Sequence, residues 1–140
     1  GAALTQLEFE NPKHPLPTVP PGEDKIIAQA KRELDAYFKG KLKTFTVAVA
    51  PQGTEFQKKA WAALQKIPYG VTRSYGQQAK VIGSPAASRA VGAANGRNPI
   101  AVIIPCHRVI GANGSLTGFG GGMERKKFLL DLEQGELLIR

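Results

Sequence analysis

The chain has 140 residues, 42% of them hydrophobic and 21% charged, with a formal net charge of +8 and a single cysteine. These proportions describe a folded chain with a packable core and exclude a disordered one. No apolar run reaches the roughly 20 residues that cross a bilayer, and a lone Cys excludes an internal disulfide and an ordinary structural zinc site. The charge is unevenly placed. From Phe56 to Met123 there is no Asp or Glu, yet eight Lys or Arg (Lys58, Lys59, Lys66, Arg73, Lys80, Arg89, Arg97 and Arg108), while the remainder balances 11 basic against 11 acidic residues. An acid-free basic stretch of this length suits a polyanionic partner, the alternative being a generically basic solvated surface.

In chain order, residues 1–22 are Pro-rich and read as an extended arm or surface loop. Ile26, Ile27, Ala30, Leu34, Tyr37 and Phe38 recur at helical spacing and predict a helix over 23–39, stopped by Gly40. Residues 45–49 alternate as a strand. Pro51-Gln52-Gly53-Thr54 closes this first unit, which places a domain boundary near residue 51. Thr54 is then an N-cap for a helix carrying Phe56, Ala60, Trp61 and Leu64, ending near Ile67-Pro68. Ser74 caps a short helix over 75–82 that Gly83 ends. Ser84-Pro85 opens another over 85–94, with Pro85 at its first position. Two short helices across a Gly-containing turn match a helix-turn-helix, the second being the recognition element. Its small residues, Ala87, Ser88 and Gly92 among them, fit either close approach to a ligand surface or tight packing in a core. The apolar run 100–104 predicts a strand that leads into Pro105-Cys106-His107-Arg108. Asn113-Gly114 suggests a hairpin turn, residues 118–122 a flexible Gly loop, and 124–132 a final helix.

Cys106 is either an inert buried hydrophobe or a nucleophile. The neighbouring imidazole of His107 and guanidinium of Arg108, both able to favour thiolate, point to the nucleophile. Successive strand residues face opposite ways, so His107 can serve Cys106 only across a turn or through a bridging water. A histidine base gains from a carboxylate that orients its ring. Glu133, at the end of the last helix, can point back toward the core for this purpose, or can be an ordinary surface acid. Arg89 is the one long cation within the small-residue helix. Tyr75 can pack or can present its hydroxyl to a ligand.

Pro105-Cys106-His107-Arg108-Val109 after the Asn98-Pro99 loop resembles the active-site signature of the O6-alkylguanine-DNA alkyltransferases (methylated-DNA–protein-cysteine methyltransferases). Gly53-Thr54-Glu55-Phe56-Gln57, Ile67-Pro68-Tyr69-Gly70, Ser74-Tyr75-Gly76-Gln77-Gln78, the Ser88–Gly96 run and Gly114-Ser115-Leu116-Thr117-Gly118 match the same family with its spacing kept. The resemblance covers residues 51–134, and residues 1–50 are similar to the family's smaller N-terminal domain in shortened form. It implies an α/β (α+β) fold: a small mixed α/β domain over 1–50 and a helix-turn-helix, winged-helix-like domain over 51–140 that carries DNA binding and chemistry.

The resemblance also implies a suicidal repair reaction, in which O6-alkylguanine is flipped from duplex DNA and its alkyl group moves irreversibly to Cys106. By position, His107 is then the base through a water, Glu133 orients it, and Asn98 braces the active-site turn. Tyr75 donates to the departing guanine and rotates the flanking phosphate. Arg89 fills the gap left by the base, and Ala87, Ser88 and Gly92 seat the helix in the minor groove. The Val109 carbonyl and the backbone near Gly120 read the guanine edge. Some members hold zinc with N-terminal cysteines that this chain lacks, so no metal and no cofactor is expected. Lesion-recognition relatives replace the cysteine that is kept here as Cys106. The expected partner is duplex DNA containing O6-alkylguanine, bound by a monomer with no membrane contact. With no secretory leader pattern and one free thiol, the expected location is cytoplasmic, nucleoid-associated in a bacterium or archaeon and nuclear in a eukaryote. Two other readings use the same residues: a DNA-binding sensor that transfers nothing, and a Cys–His hydrolase that turns over many times.

Overall fold

The computed structural model describes residues 3–7, 25–114 and 123–135. Helix α1 (Lys25–Phe38) buries Ala30, Glu33, Leu34 and Tyr37 along one side, the face expected from its periodicity. Its buried acid has a structural use: the Glu33 carboxylate accepts from Thr46 N (2.8 Å), Val47 N (3.1 Å) and the Thr46 hydroxyl (2.6 Å). Burial would raise its pKa, and these hydrogen bonds hold it below the ordinary value. The strand expected at 45–49 is accordingly reduced to one parallel bridge, Leu4 to Val49. Leu4 N donates to Ala48 O at 2.7 Å and Ala50 N to Leu4 O at 2.8 Å. With Glu33 taking the Thr46 and Val47 amides, those two groups are satisfied without a ladder.

The basic unit is built on α2 (Glu55–Gln65), α3 (Tyr75–Val81) and α4 (Ser88–Gly96). Thr54 and Ser74 cap α2 and α3, each within a reciprocal capping box closed by Gln57 and Gln77. Three buried polar contacts lock the helices together. Trp61 Nε1 donates to Ala94 O (2.8 Å), and Gln78 and Asn95 exchange amide hydrogen bonds at 2.9 and 2.8 Å. Gln78 Nε2 also donates to Ala60 O at 3.1 Å. This is the helix-turn-helix pair α3–α4 backed by α2.

Two expectations are corrected here. Helix α4 begins at Ser88 rather than Pro85, and its N-cap, Ala87, has no side-chain hydrogen bond. Ser84 to Ala87 instead close a turn, Ala87 N to Ser84 O at 2.9 Å, because the fixed φ of Pro suits the second position of a turn as well as the first of a helix. The apolar run 100–104 is not a strand. Ile100 makes one parallel bridge to Leu7, after which the chain coils, with Ile104 N donating to Ile100 O at 3.0 Å and Val102 at φ +73°. A β-branched residue at positive φ is strained by about 1–3 kcal/mol. Burial of the whole run compensates, since Ile100, Val102 and Ile104 are fully enclosed.

Cys106–Arg108 then form a single 3-10 turn, followed by β2 (Val109–Ile110), which pairs in parallel with β1 (Arg73–Ser74) in the register Arg73–Val109. This small sheet sets the start of α3 beside the exit from the cysteine turn. Gly111–Gly114 make a turn closed by Gly114 N to Gly111 O at 2.8 Å; the return arm of the expected hairpin and the Gly loop at 118–122 lie outside the described residues. Helix α5 (Met123–Glu133) completes the chain as described. The whole is a helix-rich mixed α/β fold with a small sheet. Among the described residues no helix is long and apolar enough to cross a membrane.

Gly53 shows how tightly α2 is seated. A Cβ there would lie 2.6 Å from Trp61 Cη2 and 2.6 Å from Gln57 Oε1, and both side chains are held, one by Ala94 and the other by the capping box. Gly53→Ala is therefore expected to destabilise the fold by about 1–3 kcal/mol through overpacking. Urea unfolding measures it, and a loss below about 0.5 kcal/mol contradicts the packing described.

Candidate active site

Pro105 (φ −84°, ψ 65°) turns the chain into the 3-10 segment, so Cys106, His107 and Arg108 leave the backbone in three directions, all of them buried. Asn98 spans the coil from below. Its Nδ2 donates to Ile104 O (2.7 Å) and to Cys106 Sγ (3.3 Å), and its Oδ1 accepts from Ile100 N (3.0 Å). One half-buried amide thus fixes both the strained turn and the thiol.

His107 is fully enclosed and its Nε2 lies 2.6 Å from Glu133 Oε2. Arg108 meets the same carboxylate twice, Nε to Oε1 at 2.8 Å and Nη2 to Oε2 at 2.9 Å, and donates Nη1 to Ile67 O at 2.7 Å. Tyr37 of α1 donates its hydroxyl to Oε2 at 2.6 Å. Burial would raise the Glu133 carboxyl, but the hydrogen bonds and charges of His107 and Arg108 hold it down at about 2, so it is ionised at neutral pH. Burial pushes the His107 imidazole below its ordinary value, against the upward pull of Glu133. A neutral imidazole facing a carboxylate carries its hydrogen on Nε2, which leaves the lone pair on Nδ1. That Nδ1 is buried and meets no hydrogen-bond partner among the described residues.

Cys106 departs from expectation. Burial pushes its thiol up to about 11, opposed by the Asn98 amide and the charge of Lys126. Arg108 does not favour the thiolate as expected, because its guanidinium is spent on Glu133 and Ile67. The cation that acts on the sulfur is Lys126, a fully buried lysine of α5 whose own pKa is lowered by burial. Its Nζ sits 5.8 Å from the centre of the Tyr75 ring. Sequence reading missed Lys126, which looks like one of several solvated charges in Glu124-Arg125-Lys126-Lys127. Its one signal is position, three and four residues before the buried Leu129 and Leu130, which puts it on the same face of the helix.

The remaining predicted residues divide into two groups. Tyr75 opens α3, and its ring lies against Gly92, where a Cβ would stand 3.7 Å from ring atoms Cδ1 and Cε1. Val109 is buried, its amide closing onto Cys106 O. Arg89 is exposed near the start of α4, beside half-buried Ala87, Ser88 and Gly92. These last residues line the helix-turn-helix surface rather than the thiol pocket. Gly120 lies outside the described residues. Of the eight cations in the acid-free stretch, Lys58, Lys59, Lys66, Lys80, Arg89 and Arg97 are exposed and Arg108 is not. Among the described residues no group of three or more His, Cys, Asp or Glu could hold a metal ion.

Fold and site together describe a mixed α/β protein in which a helix-turn-helix adjoins a buried thiol, imidazole and carboxylate. Residues 55–135 match the DNA binding domain of 6-O-methylguanine DNA methyltransferase, and residues 2–51 match its ribonuclease-like domain. The chain belongs to the 6-O-methylguanine DNA methyltransferase family. The methylated-DNA–protein-cysteine methyltransferase of Methanosarcina acetivorans is 63% identical over 110 residues, covering 79% of this chain and 70% of that one. The enzyme of the same name from Mycobacterium bovis is 52% identical over 135 residues, 96% of this chain and 82% of its own. Among solved structures, Mycobacterium tuberculosis OGT in complex with DNA superposes with a TM-score of 0.76 at 58% identity, over 78% of this chain and 68% of that chain.

The carboxylate cluster generates a pH prediction. The folded pKa of Glu133 lies below its ordinary 4.5, at about 2, so its contribution is complete above 4.5 and is lost as pH falls toward 2. Glu133→Gln is expected to lose most of this acid dependence, as measured by unfolding free energy between pH 6 and 2.5 (roughly the span of carboxyl titration). An unchanged slope in the variant would remove Glu133 from the acid response.

Proposed function

We propose that Cys106 is the consumed acceptor of a DNA repair methyl transfer, and that residues 1–50 and 51–140 form the supporting and the DNA-binding, reactive domains of one protein. The observation that carries this is the pairing of Glu133 with His107, the residue next to Cys106, in which the carboxylate accepts the Nε2 hydrogen and leaves an Nδ1 lone pair that can receive the thiol proton. With the resting thiol pushed up to about 11, little of it is ionised at neutral pH. Transfer then needs the proton removed as the lesion arrives, and His107 supplies that through a bridging water.

The sulfur attacks the alkyl carbon and forms a thioether. The bond from that carbon to guanine O6 breaks, and its electron pair passes to the leaving base. Thiolate suits this displacement because it is soft and strongly nucleophilic. Tyr75 donates to the departing guanine, with Lys126 behind its ring, so negative charge developing on the base meets a donor backed by a cation. Asn98 holds the turn and the sulfur in place. The Val109 carbonyl, and backbone near Gly120, read the edge of the guanine. No group in the site can cleave a thioether, so each chain acts once.

Delivery falls to α3–α4. Arg89, exposed near the start of α4, fills the gap left by the flipped base, and Ala87, Ser88 and Gly92 offer small side chains that suit entry into the minor groove. The exposed cations of the acid-free stretch supply the phosphate attraction. The reading includes a monomer acting on duplex DNA in the cytoplasm or nucleoid.

Intact-mass spectrometry after incubation with a duplex containing O6-methylguanine tests it. The expected result is a gain of one methyl on Cys106 and no further turnover, with Cys106→Ala binding the duplex but gaining nothing. Repeated turnover, or DNA binding with an unmodified thiol, overturns it. Arg89→Ala is expected to slow reaction with the duplex by about tenfold while changing reaction with the free methylated base little. Equal loss on both substrates would remove the base-replacing role.

A further inference from the structure

We propose that Tyr37 is a positioning residue for the transfer, its phenol holding the Glu133 carboxylate in the orientation from which it directs His107. The inference rests on the transfer reading above and adds α1 of the N-terminal unit to the machinery of the site. Glu133 Oε2 accepts from Tyr37 OH at 2.6 Å, from His107 Nε2 at 2.6 Å and from Arg108 Nη2 at 2.9 Å. Oε1 is taken by Arg108 Nε at 2.8 Å and faces Gly70 N at 3.4 Å. With both oxygens committed the carboxylate cannot turn. The lobe of Oε2 offered to the imidazole lies between a donor from α1 and one from the cysteine turn.

Packing alone does not require this hydroxyl. The Tyr37 ring is already enclosed by Phe38, Phe45 and Tyr69, with centroid separations of 5.1, 5.2 and 6.1 Å. A phenylalanine would fill the same space. The hydroxyl stands in a dry core where burial first, then the Glu133 charge, push its pKa up, so it remains a donor throughout the working range. Tyr37 and His107 draw on one oxygen. While the phenol shares the charge, the pull of Glu133 on the imidazole is moderated, and a neutral His107 keeps the Nδ1 lone pair. Without the phenol, the whole charge acts on the ring and favours imidazolium. The groups facing this pair are Tyr37 from α1, Tyr69 from the 67–70 turn, Arg108 from the cysteine turn, and Lys126, seven residues before Glu133 on α5.

The experiment measures the single-turnover methyl-transfer rate of the full chain on O6-methylguanine duplex against pH, together with duplex affinity and melting temperature. For Tyr37→Phe the acid limb is expected to move up by about half a pH unit or more. The rate should then fall by up to about threefold at pH 6 and little at pH 8, with duplex affinity unchanged within about twofold. A 3-fluorotyrosine placed at position 37, a stronger donor of nearly the same shape, is expected to move the limb the other way. This keeps the test decisive if the phenylalanine variant does not fold. A profile superimposable on wild type, or a loss of rate that is uniform in pH and follows the melting temperature, overturns the positioning role while leaving the transfer reading standing. A wild-type chain that gains no methyl overturns both.

Discussion

An ionised carboxylate in the core of a small protein is tolerated only when donors replace the water it has lost, and Glu133 is such a carboxylate. Taken from water unpaired it would be destabilising by several kcal/mol. Here Arg108 engages it with two nitrogens, His107 with one and Tyr37 with a hydroxyl. Those partners come from α1 and the cysteine turn, so one charge on α5 registers three parts of the chain that share no secondary structure. The same contact explains why Arg108, one of eight cations in the acid-free stretch, is absent from the basic surface. It also fixes the imidazole tautomer, and with it the free Nδ1 of the histidine next to the cysteine.

The thiol is governed by the opposing effects of burial and charge. Burial dominates and keeps Cys106 protonated at rest, while Asn98 and Lys126 moderate the shift. A protein consumed by its own reaction gains from such a setting, because a thiol that is neutral and enclosed is a poor target for stray electrophiles. The strain at Val102 belongs to the same design. The chain passes through positive φ at Val102, four residues before the cysteine, and the Asn98 amide spans the coil from Ile104 O to the sulfur.

Much of the scaffold was legible because its signals are local. Thr54 and Ser74 each stand three residues before a glutamine, and both form the capping boxes that this spacing allows. The apolar face of α1 followed from a 3.6-residue period. Besides the strand expected at 45–49, two segments depart from expectation for equally local reasons. Pro85 fits a turn as comfortably as a helix start, and which it takes depends on where α4 must pack. The run 100–104 carries strand-forming residues, but among the described residues it pairs only through the single bridge to Leu7. Tyr37 carries no local mark, being one aromatic on an apolar face, and Lys126 only its helical spacing from Leu129 and Leu130 in a run of charges.

The sequence by itself determined the reactive residue types, their order, the helical elements and the concentration of positive charge in one stretch, since these depend on neighbours along the chain. Only the tertiary structure decided which cation faces the sulfur, which donors hold Glu133 and in which direction burial moves the thiol. Those outcomes depend on groups far apart in sequence, Tyr37 and Glu133 among them, and on how completely water is removed between them. Desolvation is a property of the packed whole, and no spacing of residues along a chain specifies it.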